Sequence, residues 1–145
     1  MGAAMFLGTY TPKLDEKGRI ILPARFREEL TAGLVLARNQ ERSIVIWPRA
    51  VFEAEALRAL EGPSTLQKVR DYQRMLAAGA TEETPDKQGR ITIPPPLRQW
   101  AGLERDVVVI GALNRVEVWS PEGWEAYSAA QEEAFAGMNE IVFPQ

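Results

Sequence analysis

Apolar positions along this chain come in short runs cut off by glycine or proline, a pattern of brief strands interrupted by a few helical stretches. Gly18-Arg19-Ile20-Ile21-Leu22 and Gly89-Arg90-Ile91-Thr92-Ile93 each open on glycine, pass through β-branched residues and stop at a proline, Pro23 or Pro94. Each therefore reads as a strand. Ala24–Leu30 reads as a short helix, and strand pairs follow at Leu34–Arg38 with Ser43–Trp47 and at Val107–Ile110 with Val116–Trp119. Helical spacing takes over between them: Phe52, Ala56 and Leu60 recur at i+4, and Gly62-Pro63 breaks the run. Ser64 with Gln67 then has the form of a capping box for a helix carrying Leu66, Val69, Tyr72 and Leu76. Ser120-Pro121 sets an N-cap before a first-turn proline, which predicts a closing helix from Glu122 to about Phe135.

The two glycine-led strands belong to an internal repeat. Asp15 to Arg27 returns as Asp86 to Arg98, displaced by 71 positions, with the shared pattern D-x-x-G-R-I-x-[LI]-P-x-x-[FL]-R. Six of the thirteen positions are identical, where ordinary residue usage gives roughly one. Downstream, Ile44-Val45-Ile46-Trp47-Pro48 is echoed by Val116-Glu117-Val118-Trp119-Ser120-Pro121. Each unit is then about 45 residues long, too short to bury an adequate core alone, so the two copies are expected to pack as a pseudo-symmetric pair. The implied organisation is a first repeat at 9–53, a helical connector at 54–79, a second repeat at 80–124, and a C-terminal helix and tail at 125–145.

Ahead of each strand the residues predict a turn. Asp15 and Asp86 can accept backbone N–H bonds as Asx-turns, and Gly18 and Gly89 can take the positive φ of a tight hairpin, which leaves Glu16-Lys17 and Lys87-Gln88 at the tips. Charge follows the repeat. Lys13 to Arg27 carries a net +3 and Asp86 to Arg98 a net +2, whereas Ser120 to Gln145 holds five Glu and no Lys or Arg. The whole chain is at −3 with a pI near 5.1, so any polyanion site has to be a local patch at the turns. Arg19 and Arg90, each directly after the turn glycine, are the candidates for base readout, because a planar guanidinium can donate two bonds to guanine O6 and N7. Lys17, Lys87 and Lys13 are candidates for phosphates. Lys17 aligns with Gln88 and Lys87 with Glu16, so the tips are not copies of one another.

The remaining composition narrows the chemistry. With no Cys and no His, the chain can supply neither a thiol nucleophile, an imidazole base, a zinc finger nor a disulfide. Ser43, Ser64, Ser120 and Ser128 have no His to activate them, and neither a glycine-rich phosphate loop nor a metal-spaced carboxylate set is visible. The expectation is a protein without catalytic residues, metal or cofactor. Its longest uncharged run, Met1 to Pro12, is too short to span a bilayer, so a cytoplasmic location is expected.

The doubled D-x-x-G-R turn, the [LI]-P stop, the Trp closing each second strand and the opening Met5-Phe6-Leu7-Gly8 resemble the MraZ family, two-repeat members of the SpoVT/AbrB-like group. The resemblance covers Met5 to Phe135. It implies an α+β fold, a swapped-hairpin β-barrel built from both tandem repeats of one chain, with connecting and C-terminal helices. It also implies a DNA-binding transcription regulator, a repressor of its own operon in the division and cell-wall cluster. Such proteins associate with the nucleoid and assemble into homo-oligomeric rings that present Asp-x-x-x-Arg loops to G-rich promoter repeats. The matching positions are Asp15 and Arg19, and Asp86 and Arg90. The alternative is an AbrB-type antitoxin that binds DNA and captures a toxin through its acidic C-terminal segment.

Four further expectations concern individual side chains. Asp15 and Asp86 serve either to cap the turn or to orient the arginine. Arg27 and Arg98, beyond the proline, are expected in structural ion pairs rather than on phosphates. Trp47 and Trp119 are expected in packing rather than as base-stacking platforms. The adjacent pairs Glu28-Glu29 and Glu132-Glu133 point in different directions on a helix and make solvated faces.

Overall fold

The computed structural model describes residues 5–138, arranged as β1 (Thr9–Tyr10), β2 (Arg19–Ile21), α1 (Ala24–Leu30), β3 (Leu34–Arg38), β4 (Ile44–Pro48), α2 (Arg49–Leu60), α3 (Gln67–Ala78), β5 (Thr81–Glu83), β6 (Arg90–Thr92), α4 (Pro95–Ala101), β7 (Val108–Gly111), β8 (Val116–Trp119) and α5 (Pro121–Ala136). This is an α+β chain. Its main antiparallel sheet runs β1-β7-β8-β4-β3-β5, and β2 and β6 form a separate two-stranded ribbon. Among the described residues the six-stranded ladder ends at β1 and β5 without closing into a barrel.

The strands of the two repeats interleave. β1 pairs with β7, β5 with β3, β4 with β8 and β2 with β6, so neither repeat completes a sheet by itself. The registers show the pseudo-symmetry directly. Ile20 faces Ile91, its own counterpart 71 residues on, and Val45 faces its counterpart Glu117. An antiparallel ladder centred on a pair of equivalent residues has a local two-fold axis through that pair, so the repeated sequence is expressed as a repeated backbone about one axis.

Both repeats feed one core. Ile20, Leu22, Phe26 and Leu30 from the first meet Ile91, Ile93, Leu97 and Val109 from the second, all buried, and Phe26 sets its ring edge-on to Phe6 and Tyr10 at 5.3 and 5.2 Å. Burying each such side chain is worth about 1.5–3 kcal/mol, a gain that a 45-residue unit with half these side chains lacks. The opposite face of β3 and β4 is also covered: Ala37, Val45 and Trp47 pack with Leu76 of α3 and Phe52 of α2. Burial on both faces explains why these strands read as continuous apolar runs rather than alternating ones. At β8 the far face carries Trp119, packed edge-on against Trp124 and tilted against Tyr127 of α5 with ring centres 5.2 and 5.0 Å away, and the buried Glu117. That carboxylate accepts bonds from Trp119 Nε1, Asn39 Nδ2 and Arg115 Nε, each at 3.0 Å, which satisfies the charge where burial is otherwise costly.

The helices answer to their punctuation unevenly. Ser120 caps α5 as expected, its Oγ accepting the Gly123 N–H at 3.0 Å. The Ser64–Gln67 capping box does not form: Leu66 is the N-cap of α3 and its first turn has no side-chain cap. Pro63 instead closes a turn with Leu66 through backbone, Leu66 N–H donating to Pro63 O at 3.1 Å. The i+4 stripe of α2 also departs from expectation, since Phe52 and Ala56 are half-buried but Leu60 is exposed. In α3 the buried member is Leu76, while Leu66 and Tyr72 face outward. Among the described residues no helix is long and apolar enough to cross a membrane.

Candidate nucleic-acid interface

The ribbon holds both copies of the repeated turn side by side. In β2–β6, Arg19 pairs with Thr92, Ile20 with Ile91 and Ile21 with Arg90. Because strand side chains alternate, the central isoleucines point into the core at 1% exposure. The flanking residues then share the outer face: Arg19 beside Thr92, and Arg90 beside Ile21, which is half exposed. Two arginines thus sit diagonally on one outward face of a ribbon anchored from beneath.

Each arginine is aimed by the turn that precedes it. Asp15 Oδ1 accepts the N–H groups of Lys17 and Arg19 at 2.9 Å each, and its Oδ2 accepts Arg19 Nε at 2.7 Å. Asp86 does the same for Gln88 N–H and Arg90 N–H at 2.9 Å each, and for Arg90 Nε at 2.8 Å. Capping and orienting are therefore one function of one carboxylate, because its two oxygens divide the work. The Arg19 backbone N–H on Asp15, and the Arg90 N–H on Asp86, hold both carboxyls below the ordinary value of 3.8, with the paired guanidiniums adding to the effect against partial desolvation. The bond through Nε leaves the two terminal nitrogens of each guanidinium without a hydrogen-bond partner among the described residues, on side chains that remain 26% and 29% exposed.

The turn glycines have φ of +77° at Gly18 and +78° at Gly89, where a Cβ is strained. They also make room across the pseudo-axis. Gly18 O accepts from Ile93 N–H at 2.8 Å and Gly89 O from Leu22 N–H at 2.9 Å, so each turn is stitched to the other repeat's strand. The turn does not open a self-paired hairpin: the strand it launches pairs with the other copy, while Leu14 before it donates to Arg105 O at 2.7 Å.

Arg27 and Arg98 lie over these glycines, in the opposite repeats. A Cβ on Gly89 would come within 2.5 Å of Arg27 Nε, and one on Gly18 within 2.7 Å of Arg98 Nη1. Neither arginine is in an ion pair among the described residues, which corrects the expectation from sequence. Arg27 Nε donates to Leu22 O at 3.0 Å, and Arg98 Nε is buried without a protein partner. Linear sequence puts them past the proline and away from the tips; the strand exchange brings each one back against the other copy's turn. The common displacement of 71 positions for both the glycine and the arginine was the signal that could have placed them there.

A family described as "MraZ protein, putative antitoxin-like" matches the chain twice, at residues 5–75 and 76–141. The chain belongs to the MraZ family. Among its relatives, each named transcriptional regulator MraZ, the protein of Cutibacterium acnes is 58% identical over 141 residues, covering 97% of this chain and 99% of the relative. Those of Micrococcus luteus and Leifsonia xyli are 56% and 55% identical over 140 residues, covering 97% of this chain and 98% of each relative.

Seen as an MraZ family member, the chain shows different situations for its candidate lysines. Lys17 and Lys87 stand exposed at the two turns. Lys13 precedes the first turn and is bound to Asp106 at 3.0 Å in an exposed pair, an interaction worth little in water. Trp47 and Trp119 are buried in packing, as expected.

Proposed function

We propose that this chain is a transcription regulator that binds double-stranded DNA with the outer face of the β2–β6 ribbon. The observation that carries the reading is the diagonal pair Arg19 and Arg90, each locked by its own aspartate on a ribbon whose opposite face is core. A two-stranded ribbon fits the major groove, about 12 Å wide, and a guanidinium whose terminal edge is free matches guanine O6 and N7. Pre-orientation by Asp15 and Asp86 reduces the side-chain entropy lost on binding. Lys17 and Lys87, with Lys13 beside the first turn, contact phosphates and bring salt dependence rather than sequence information.

In this reading the interleaved strands of the two repeats play the part of the family's swapped-hairpin barrel, with the described ladder left open between β1 and β5. Chains associate into a ring that presents many ribbons to G-rich repeats in the promoter of their own operon, the division and cell-wall cluster, where they repress and by which they associate with the nucleoid. Each ribbon binds weakly, and the array gains by effective concentration. The test is a mobility shift on DNA upstream of the chain's own reading frame, over a salt series, with wild type and Arg19→Ala plus Arg90→Ala. Salt-dependent binding by wild type that is lost in the folded double variant supports the reading. Equal binding by both, or by neither, overturns it and turns attention to a protein partner of the antitoxin type.

A further inference from the structure

The end of the molecule formed by the β3–β4 turn, the α3–β5 junction and α4 carries a second basic cluster that the ribbon does not use. Trp100 of α4 donates its indole N–H to Ser43 O at 2.9 Å and Asn39 O at 3.2 Å, which locks the ring against the β3–β4 turn. The Arg42 guanidinium lies 4.1 Å from that ring's centre and the Arg38 guanidinium 5.8 Å from it. Among the described residues neither arginine is paired with a carboxylate.

The two arginines and the tryptophan line two adjoining surface cavities. One, of about 550 Å³, adds the Thr81 hydroxyl and the Gln99 amide. The other, of about 390 Å³, adds Tyr72 and Met75, both exposed apolar side chains of α3. Glu41 is the one carboxylate among the residues lining either cavity. One side thus offers two cations and polar groups; the other offers an apolar, aromatic surface, with the Arg–Trp stack between.

Two features indicate that this arrangement is built rather than incidental. Glu41 and Arg42 hold φ of +59° and +60° in succession without being glycine, strain of the kind that persists where the surroundings over-determine a site. Gly79 gives the space for Arg38, since a Cβ there would come within 2.5 Å of Arg38 Nε. The other repeat shares one positive-φ turn residue, Leu113, but not the side-chain cluster. Displaced by 71 positions, Trp100 corresponds to Glu29, an exposed residue of α1, and the β7–β8 turn has no tryptophan beneath it. The fold tolerates the pseudo-equivalent place without the cluster.

We infer that this pair of cavities binds a nucleoside di- or triphosphate, the phosphates on Arg38 and Arg42 and the base on the Trp100, Tyr72 and Met75 side. Paired guanidiniums recognise phosphate oxygens through charge-assisted, bidentate bonds. A flat base suits the exposed Tyr72 ring and Met75 beside the guanidinium of Arg42, which the hydrogen-bonded indole beneath it holds in place. Pro94 and Pro96 line the larger cavity just beyond β6, so the occupant touches the segment that leads out of the ribbon.

The test is isothermal titration of ADP, and separately of inorganic pyrophosphate, into the full chain. Saturable ADP binding is expected, with pyrophosphate at least several-fold weaker because it has no ring to stack. Arg38→Gln plus Arg42→Gln should weaken ADP by about tenfold or more, the scale of losing charge-assisted bonds. Arg42→Lys, which keeps the charge and loses the planar stack, should fall between. Arg19→Ala plus Arg90→Ala should leave ADP affinity unchanged, which separates this site from the ribbon. Absence of saturable ADP binding at millimolar concentration overturns the inference, as does equal affinity in the Arg38/Arg42 variant or loss in the Arg19/Arg90 variant. So does a change of molar mass by light scattering in the Arg38/Arg42 variant, since the cluster would then be an interface between copies of this chain.

Discussion

The two turns at Asp15–Arg19 and Asp86–Arg90 share a backbone and differ in what they present. Their hydrogen bonds agree to within 0.1 Å for every aspartate interaction, and their glycines to within a degree in φ. Yet the first displays Glu16-Lys17 with Ile21 on the ribbon face, and the second Lys87-Gln88 with Thr92. What both retain is what geometry demands: the carboxylate that accepts three bonds, the glycine with positive φ and the arginine that is held. What differs is exposed at Glu16, Lys17, Lys87, Gln88 and Ile21 and half-buried at Thr92. The comparison teaches that the aiming device is duplicated, while the surface around it is free to make the two halves of one ribbon present different groups.

The largest effect should come from removing one arginine at a time. Arg19→Ala and Arg90→Ala should each weaken operator binding by about 1–3 kcal/mol, the worth of a good bidentate bond to a base, measured by fluorescence anisotropy at fixed salt. Comparable losses are expected if the halves are equivalent readers. A loss confined to one variant would mean that only one turn engages and would break the comparison.

Stability offers the next test, because it concerns only the shared geometry. Gly18→Ala and Gly89→Ala should each cost about 1–3 kcal/mol, the strain of a non-glycine residue at such φ, with the displaced Arg98 or Arg27 adding to it. Thermal melts should show two similar drops. A neutral result at either position would mean that its turn is not under the constraint read from its backbone.

Smaller still is the lysine asymmetry. Lys17→Gln and Lys87→Gln should leave sequence preference intact, and each should reduce the slope of log affinity against log salt by about one, as expected when one phosphate is no longer neutralised. An unchanged slope in one of them would assign the phosphate to the other turn alone.

The smallest effect is on pH. Both aspartates have a folded-state pKa below their unfolded value of 3.8, so the stability they add is present above that value and is lost as pH falls through the lowered one. Carboxyl carbon shifts followed by NMR should show both titrating below 3.8, with Asp15→Asn or Asp86→Asn removing one midpoint and leaving the other in place. A midpoint at the ordinary value for either would mean that its carboxylate does not hold the turn backbone and the arginine as the structure has them.

Much of this could be read from the chain. Brief apolar runs ended by proline are strands because little else satisfies β-branched residues over so short a stretch, and β2, β3, β4, β6 and β8 fall within a residue or so of expectation. Gly18, Asp15 and their counterparts could be placed because turn chemistry is local, as is the Ser120 cap. Less legible were α2 and α3, where an i+4 spacing predicts a buried stripe but Leu60 and Tyr72 are exposed. Periodicity shows that a face exists and not whether anything covers it.

By itself, then, the sequence determined the repeat, the local form of each turn and which arginine each aspartate can reach, all interactions spanning a few residues. Only the tertiary structure decided that Ile20 pairs with Ile91, that Arg27 seats over Gly89 and Arg98 over Gly18, and that Trp100 gathers Arg38 and Arg42. Those pairings join residues about 60 to 80 positions apart. They are set by the shared core, because neither repeat can bury its apolar face without the strands of the other.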